Sequence, residues 1–566
     1  MSWDQSVDFL VVGSGGGGMT AALMAHDLGM EALVIEKDER FGGTTAMSGG
    51  VIWVPNNHLM KAAGIDDSRE EALTYLRKVV GPDVAADRLE AYVDHAPKML
   101  RYLEQHSRVR YNAAVQYADY YAELPGGKPG GRSLDPAPIS RRALGDEQNF
   151  IRAIPGERVL KRFMLTAVEA HHVMASALNR TLIILKRLCL YYLDVPYRLA
   201  GKPDARMTLG QGLIGSLRAS LLDRRVPISM KTSLQELVME NGRVTGVVAE
   251  RDGQRVRIEA RKGVMLAAGG FARNASMRQH YQQAPIGGDW SNANPHDQGD
   301  GIRLGQSVGA ALEFMSCAWW TPTYLLPDGS PEALIVGKSM PGCIFVNKAG
   351  RRFVNEAAPY EDVVKGQYAA NDQQAPSIPC FMVLDARYRR EYTLGNGRIL
   401  PSKMMPDERV PKAYFESGFL QKGETLRHLA GKIGVDAEGL ESEIARFNRF
   451  AVSGVDEDFH RGETLQDRYY SDANIKPNPT LAPIMEPPFY AITIYPGDLG
   501  TKGGLKCDAR ARVLNEQGDV IPGLYATGNC SGAVMGNSYP GAGATIGPAM
   551  TFGYIAARDA AGQHDD

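Results

Sequence analysis

Tyr539 and Gly543 stand four residues apart in Asn537-Ser538-Tyr539-Pro540-Gly541-Ala542-Gly543-Ala544-Thr545, just ahead of a stretch that reads as helix. A phenol O–H and a backbone N–H so spaced, at a helix start, can both point at one oxygen, which is the geometry of an oxyanion hole. Two further tyrosines sit in notable contexts. Tyr360 closes the run Arg351-Arg352-Phe353-Val354-Asn355-Glu356-Ala357-Ala358-Pro359-Tyr360, and Tyr120 lies in Ala118-Asp119-Tyr120-Tyr121-Ala122-Glu123, before a Gly/Pro-rich loop. Tyrosine is over-supplied, with 24 against 16 phenylalanines. A free phenol titrates near ~10, so a tyrosine base needs assistance near neutrality and predicts a rate optimum on the alkaline side. Other chemistries lack their residues. The 11 histidines form no HExxH and no cluster with cysteine at zinc spacing, so no metal is expected. The six cysteines (Cys189, Cys317, Cys343, Cys380, Cys507, Cys530) include no close pair, and reduced, mostly buried thiols are expected.

The elements ahead of these tyrosines predict a nucleotide cofactor. Val7–Val12 is a short β-rich apolar run, followed by a glycine loop, a helical stretch, and a second strand from Ala32 that ends in Glu36. This is a βαβ pattern. Gly13, Gly15 and Gly18 fit GxGxxG, in which a tight turn, close approach of a pyrophosphate and close helix packing each exclude a β-carbon. Ser14, Gly16 and Gly17 complete the loop, whose amides and helix dipole favour an anion. Glu36 is placed to accept hydrogen bonds from an adenosine ribose. The fingerprint alone leaves NAD and FAD both open.

The next residues decide between them by resemblance. Arg40-Phe41-Gly42-Gly43-Thr44-Thr45-Ala46-Met47-Ser48-Gly49-Gly50 resembles the RxGGxSxxSGG segment of flavoproteins of the fumarate reductase class. Lys262–Phe271 is an apolar strand running into glycines, and Gly523–Asn529 resembles the GLYAxG motif near the C-terminus of these enzymes. The resemblance implies FAD, held by the glycine loop and Glu36 with Lys37, Gly42, Gly43, Thr44, Thr45, Ser48, Gly49 and Gly50. It adds Ala268, Gly269, Gly270, Gly528, Asn529 and Ala544 near the flavin. A non-covalent flavin is expected, because the histidine that some relatives carry near the SGG segment is missing. The fold class expected is α/β, a discontinuous Rossmann-like FAD-binding domain with an inserted α+β substrate or catalytic domain. Its predicted parts are residues 1–290, the insert 291–487, and 488–566. Pro477–Pro488 reads as the return crossing. Gly342–Glu356 is predicted as a hairpin about a Lys-Ala-Gly turn, and Leu426–Phe450 as an amphipathic helix.

The chain resembles the 3-ketosteroid Δ1-dehydrogenases over nearly its whole length, through GSGGGG, RFGGTTAMSGG, Ile52-Trp53, the Asp119–Glu123 segment, NEAAPY, FHRGE at 459–463, DLGTKGG at 498–504, and SYPGAG. That resemblance implies Tyr120, Tyr360, Tyr539 and Gly543 as the active residues. Tyr539 and Gly543 would polarise a C3 ketone, Tyr360 assisted by Tyr120 would take the C2 proton, and the flavin would accept the C1 hydride. The longer members, to which the 158–206 segment is similar, imply a sterol-derived substrate such as cholest-4-en-3-one. The competing readings are a fumarate reductase or succinate dehydrogenase flavoprotein, a Δ4-(5α) steroid dehydrogenase, and a non-catalytic membrane-bound flavin protein. In the reductases NExxxRD supplies an arginine acid where this chain has Tyr360. No second dinucleotide fingerprint is visible, so a quinone or other carrier is the expected electron acceptor.

Composition sets the remaining limits. The 63 Lys+Arg against 65 Asp+Glu lack the basic excess of a nucleic-acid binder. Hydrophobic residues at 44% and charged residues at 23% are ordinary globular values. Arg158–Arg206 departs from them, with nine basic residues against three acids and apolar runs between. No uncharged stretch there reaches the ~18 residues of a spanning helix. An interfacial helix among anionic headgroups is expected, with a helical hairpin packed on the protein or a partner as the alternative. The N-terminus enters a strand by residue 8 without a basic, apolar leader. The location expected is therefore cytoplasmic, peripheral at the inner face of the membrane.

Overall fold

Strand β1 (Gln5–Val12), helix α1 (Gly16–Asp27) and strand β2 (Ala32–Ile35) form the expected βαβ unit. Phe9, Leu10, Val11, Val34 and Ile35 are completely buried, which is why these strands read as continuous apolar runs rather than alternating ones: both faces of a parallel sheet are covered. The computed structural model describes residues 2–153, 159, 162–175, 177–202 and 204–563. Strand β3 (Gln254–Leu266) lies parallel to β1 on the side away from β2, with Leu10 opposite Val264. Strand β4 (Val520–Ala526) then lies parallel to β3, with Met265 opposite Tyr525. The three motif-bearing segments, distant in sequence, thus end side by side. Arg243–Arg251 and Thr232–Glu240 extend the same eight-stranded sheet by antiparallel pairing.

The chain divides into two compact units, residues 1–277 with 293–317 and 501–566, and residues 278–292 with 318–500. The first contains the parallel sheet. The second is α+β. Its six-stranded sheet runs Pro331–Ala333, Ala318–Leu325, Phe489–Thr501, Cys380–Leu384, Cys343–Val346, with Leu420–Gly423 on the long Phe489–Thr501 strand. Ile344, Phe381, Leu429, Phe447 and Ala491 fill the core between this sheet and its helices. The Pro477–Pro488 stretch lies inside this unit, and the strand that follows it carries the chain out at residue 500.

Two local expectations fail here. Gly342–Glu356 does not close as a hairpin: Cys343–Val346 pairs with Cys380–Leu384 instead. After the turn, Arg352 and Glu356 are drawn into a buried ion cluster, where they cannot serve as the second strand. Leu426–Phe450 is two helices, Leu426–Ile433 and Ala437–Ser453, broken at Gly434, whose φ of +64° is the left-handed stop of a helix C-terminus.

The basic segment includes the helix Ala167–Ala175, then helix α2 (Ala177–Leu193) and helix α3 (Val195–Leu199). Arg158 and Lys161 lie outside the described residues. Glu169 pairs with Arg187 and, at 3.0 Å, with Arg206. The segment nevertheless presents Leu182, Leu185, Leu190, Leu193, Val195 and Leu199 to solvent, Leu193 at 74% and Leu199 at 85% exposure. Among the described residues no helix is long and apolar enough to cross a membrane.

Candidate active site

In the first unit the glycine loop is built as a cradle. Gly13 has φ +105°, and a β-carbon there would lie 2.4 Å from the Ala267 oxygen. At Gly15 the neighbours do not explain the glycine, since a β-carbon would meet only Thr45 Oγ1, at 3.7 Å. That position is the N-cap of α1 and carries no side-chain cap, so the open face and the first amides of the helix suit a pyrophosphate. Ser14 donates to Glu36 Oε2 through its amide (3.1 Å) and hydroxyl (2.6 Å), and Asp38 N–H to Oε1 (3.0 Å). Burial pushes the Glu36 carboxyl up, against the Ser14 bonds. These residues fit the diphosphate and ribose of FAD.

The second glycine run is laid against the first. Gly42 N–H donates to Ser14 Oγ (3.0 Å), Gly16 N–H to Thr45 Oγ1 (3.2 Å), and Gly50 N–H to Ser48 Oγ (2.9 Å). Gly43 starts a short helical turn through Ala46, Gly49 is exposed, and Gly17 and Gly18 are buried in α1. Ala268 and Gly269 follow the end of β3 half-buried, with Gly270 buried beyond them. Gly528 and Asn529 form a single turn after β4, and Ala544 N–H bonds the Gly541 oxygen (3.1 Å). Lys37 is engaged with Asp300 at 2.5 Å. Sequence reasoning missed the acids of this region. Asp297 accepts from Thr44 Oγ1 (3.0 Å), and burial raises its carboxyl to about 7. The run Asp297-Gln298-Gly299-Asp300, leading into a helix, was the available signal.

The same unit brings Tyr120 and Tyr539 together. Both are buried, and their ring centroids are 5.3 Å apart at 45°. Thr545 Oγ1 donates to the Tyr539 hydroxyl at 3.1 Å. Lys502, fully buried, donates to the Ser538 oxygen at 2.8 Å, with its ammonium 6.0 Å from the Tyr539 ring centroid. Gly543 has φ +95°, and a β-carbon there would come within 2.5 Å of the Ile52 backbone. Only glycine fits, which pins the loop to the Ile52–Trp53 strand.

Tyr360 belongs to the second unit, where it is the first residue of helix α4 (Tyr360–Ala369) and buried. The NEAAP segment before it is held from three sides. Asn355 Oδ1 accepts from the Ala357 and Ala358 amides. Glu356 binds Arg352 twice and Arg461 once, each at 2.9 Å, and Arg352 also binds Asp456. Against burial, the two guanidiniums hold the Glu356 carboxyl below its ordinary range. Lys338 Nζ donates to the Glu356 oxygen (2.9 Å) and the Ala358 oxygen (2.6 Å). Its burial, with Arg461 nearby, pulls the amine down to about 7. The NEAAPY and FHRGE motifs therefore meet in one structure, through Glu356 and Arg461.

Residues 8–546 match the family model described as an FAD binding domain. The chain is 42% identical over 572 residues, 99% of each chain, to a 3-oxosteroid 1-dehydrogenase of Mycobacterium tuberculosis. It is 34% identical, over 98% of this chain and 93% of the other, to a 4-oxocyclohexanecarboxylate 2-dehydrogenase of Sinomonas cyclohexanicum. Among solved structures it resembles a 3-ketosteroid Δ1-dehydrogenase of Sterolibacterium denitrificans in complex with 1,4-androstadiene-3,17-dione. The TM-score is 0.95 at 43% identity, covering 99% of this chain and all of the other.

Proposed function

The chain belongs to the 3-oxosteroid 1-dehydrogenase family of FAD-binding flavoproteins, and from that footing we propose that it removes hydrogen from C1 and C2 of a 3-ketosteroid. The observation that carries the residue assignment is the buried Tyr120–Tyr539 pair beside a Gly543 that no other residue could replace. The C2–H bond is only weakly acidic until the C3 carbonyl is polarised. Tyr539 O–H and Gly543 N–H donate to that oxygen and stabilise the developing enolate. Tyr360, assisted by Tyr120, takes the C2 proton. Its place at the first position of a ten-residue helix supports this role, because the side chain leans toward the N-terminal end, where the helix dipole favours a phenolate. FAD, when bound, supplies the acceptor for the C1 hydride.

The test is anaerobic turnover by the FAD-loaded protein with cholest-4-en-3-one and, separately, 4-androstene-3,17-dione. The expected product is the 1,4-dien-3-one, one per flavin. No dienone from either steroid, with reduction of fumarate by the reduced protein, would move the assignment to the dicarboxylate class. Dienone from androstenedione alone would remove the sterol side chain from the reading.

The exposed leucines of α2 and α3 support a second element of the proposal, attachment to the anionic inner face of a membrane. Leu193 and Leu199 stand out beside the exposed Lys186 and Lys202, the pairing of apolar and basic groups that an interfacial helix uses. A lipophilic sterol and a quinone or similar electron acceptor would both be supplied from that phase. Sedimentation with phosphatidylglycerol-containing vesicles, weakened by salt and by the double substitution Leu193→Ser and Leu199→Ser, is the expected result. Equal recovery with and without vesicles would overturn it.

A further inference from the structure

Tyr120 and the Tyr539–Gly543 loop are 419 residues apart in the chain, yet one backbone oxygen joins them. The Pro540 carbonyl accepts from the Tyr120 N–H at 3.0 Å and from the Tyr75 hydroxyl at 2.5 Å. The Tyr75 oxygen in turn accepts from the Tyr121 N–H at 3.3 Å. A single buried hydroxyl, presented by the helix Arg69–Val80, therefore closes a ring of bonds around the junction of the two segments. A second clamp runs through Asp119, the residue before Tyr120. Its Oδ1 accepts from Trp53 Nε1 at 2.8 Å, and its Oδ2 from Arg132 Nη1 (2.8 Å) and the Lys128 amide (3.0 Å). The indole so oriented fills the space beside Gly541, where a β-carbon would come within 2.6 Å of it. Arg132, completely buried, lies over both the Trp53 and Tyr75 rings, 5.5 and 5.4 Å from their centroids, and its Nε and Nη2 donate to Asp67. Each clamp thus touches both the Tyr120 segment and the loop, and both clamps share Arg132.

We infer that Tyr75 and Asp119 are positioning residues for the reaction, setting the separation between the Tyr120 phenol and the Tyr539–Gly543 donors. The inference rests on the functional reading above. A hydrogen bond to a buried carbonyl fixes the chain on either side of it. A displacement of ~1 Å between groups that act together can lower turnover by ~10²-fold. Backbone bonding alone leaves the Tyr120–Pro540 bond to hold the junction, and Tyr75 supplies the second donor that restrains its angle.

The experiment compares the FAD-loaded full-length protein with Tyr75→Phe and Asp119→Asn, using androstenedione with an excess of a soluble quinone to reoxidise the flavin, well below the melting temperature of each. A Tyr102→Phe control removes only a hydroxyl that bonds Asp27. The expected result is kcat lowered ~10-fold in Tyr75→Phe and ~100-fold in Asp119→Asn, with KM within about threefold and the control unchanged. The pH–rate profile should also move, its rising limb displaced to higher pH as Tyr120 assistance is weakened. A lowered melting temperature with unchanged kcat and pH profile in Tyr75→Phe would overturn the inference and leave a merely structural role. Tyr75→Phe decides the matter if Asp119→Asn fails to fold. Wild-type protein that forms no dienone would overturn the functional reading itself, and this inference with it.

Discussion

Each unit seats a tyrosine on a buried ion cluster, and a different kind of group gives way in each. Beside Tyr120, Asp67 and Asp119 share the single guanidinium of Arg132. Around the segment before Tyr360, Arg352, Arg461 and Lys338 face Glu356, Asp456 and Asp467. Where carboxylates are in surplus, a carboxyl gives way: burial raises Asp119 to about 6 despite Arg132. In the second cluster an amine gives way instead: burial, with Arg461 nearby, pulls Lys338 down to about 7 despite Asp467 and Glu356. Burial is the largest cause of both shifts, and the charged partners only limit it. The chemistry proposed above puts the donors to the carbonyl oxygen, Tyr539 and Gly543, in the first unit and the proton acceptor, Tyr360, in the second.

Tyr360→Phe tests that division most severely. Loss of the base should lower kcat by ~10³-fold or more while ketosteroid binding, followed by equilibrium dialysis, stays near its wild-type value. Tyr539→Phe removes one donor to the C3 oxygen and should lower kcat by ~10²-fold. If the two losses were equal and both pH profiles kept their alkaline limb, base and donor would not be separate roles. Lys338→Met should lower kcat by ~10-fold through the loosened turn before Tyr360, and it should change the pH dependence of stability. Because the folded amine is depressed from 10.5 to about 7, its stabilising contribution is present above 10.5 and lost as pH falls through 7. Wild-type stability should therefore gain between pH 7 and 10 from this group, and the variant should show a flatter urea-midpoint curve there. The smallest effect is expected from Asp119→Asn on acid stability. Its folded carboxyl is raised from 3.8 to about 6, so its contribution is present below 3.8 and lost as pH rises through 6. The variant should flatten the decline between pH 4 and 6. Parallel slopes for wild type and both variants would erase the contrast between the clusters.

Much of this was legible in the sequence because it depends on short-range constraints. A glycine at φ +105° or +95° answers to its own backbone, and a strand buried on both faces shows as a run of consecutive apolar residues, so both are written in neighbouring positions. The βαβ unit and the tyrosine-bearing motifs followed from them. The Leu426–Phe450 helix misled because its apolar spacing continues through Gly434, whose left-handed conformation ends the first helix. The Gly342–Glu356 hairpin misled for a different reason: its second half carries the β-rich pair Phe353-Val354, but Arg352 beside them finds Asp456, 104 positions away.

The sequence by itself determined the order of the motifs, the glycine loop expected to hold the cofactor and the tyrosines worth attention, since turn geometry and helix and strand patterning act over a few residues. Only the tertiary structure decided what holds those tyrosines. Tyr75 reaches Pro540 across 465 positions, and Asp119 becomes a clamp only when Trp53 and Arg132 are buried beside it. Such bonds have no sequence period, because a buried charge or hydroxyl needs a partner in space and folding brings that partner from anywhere along the chain.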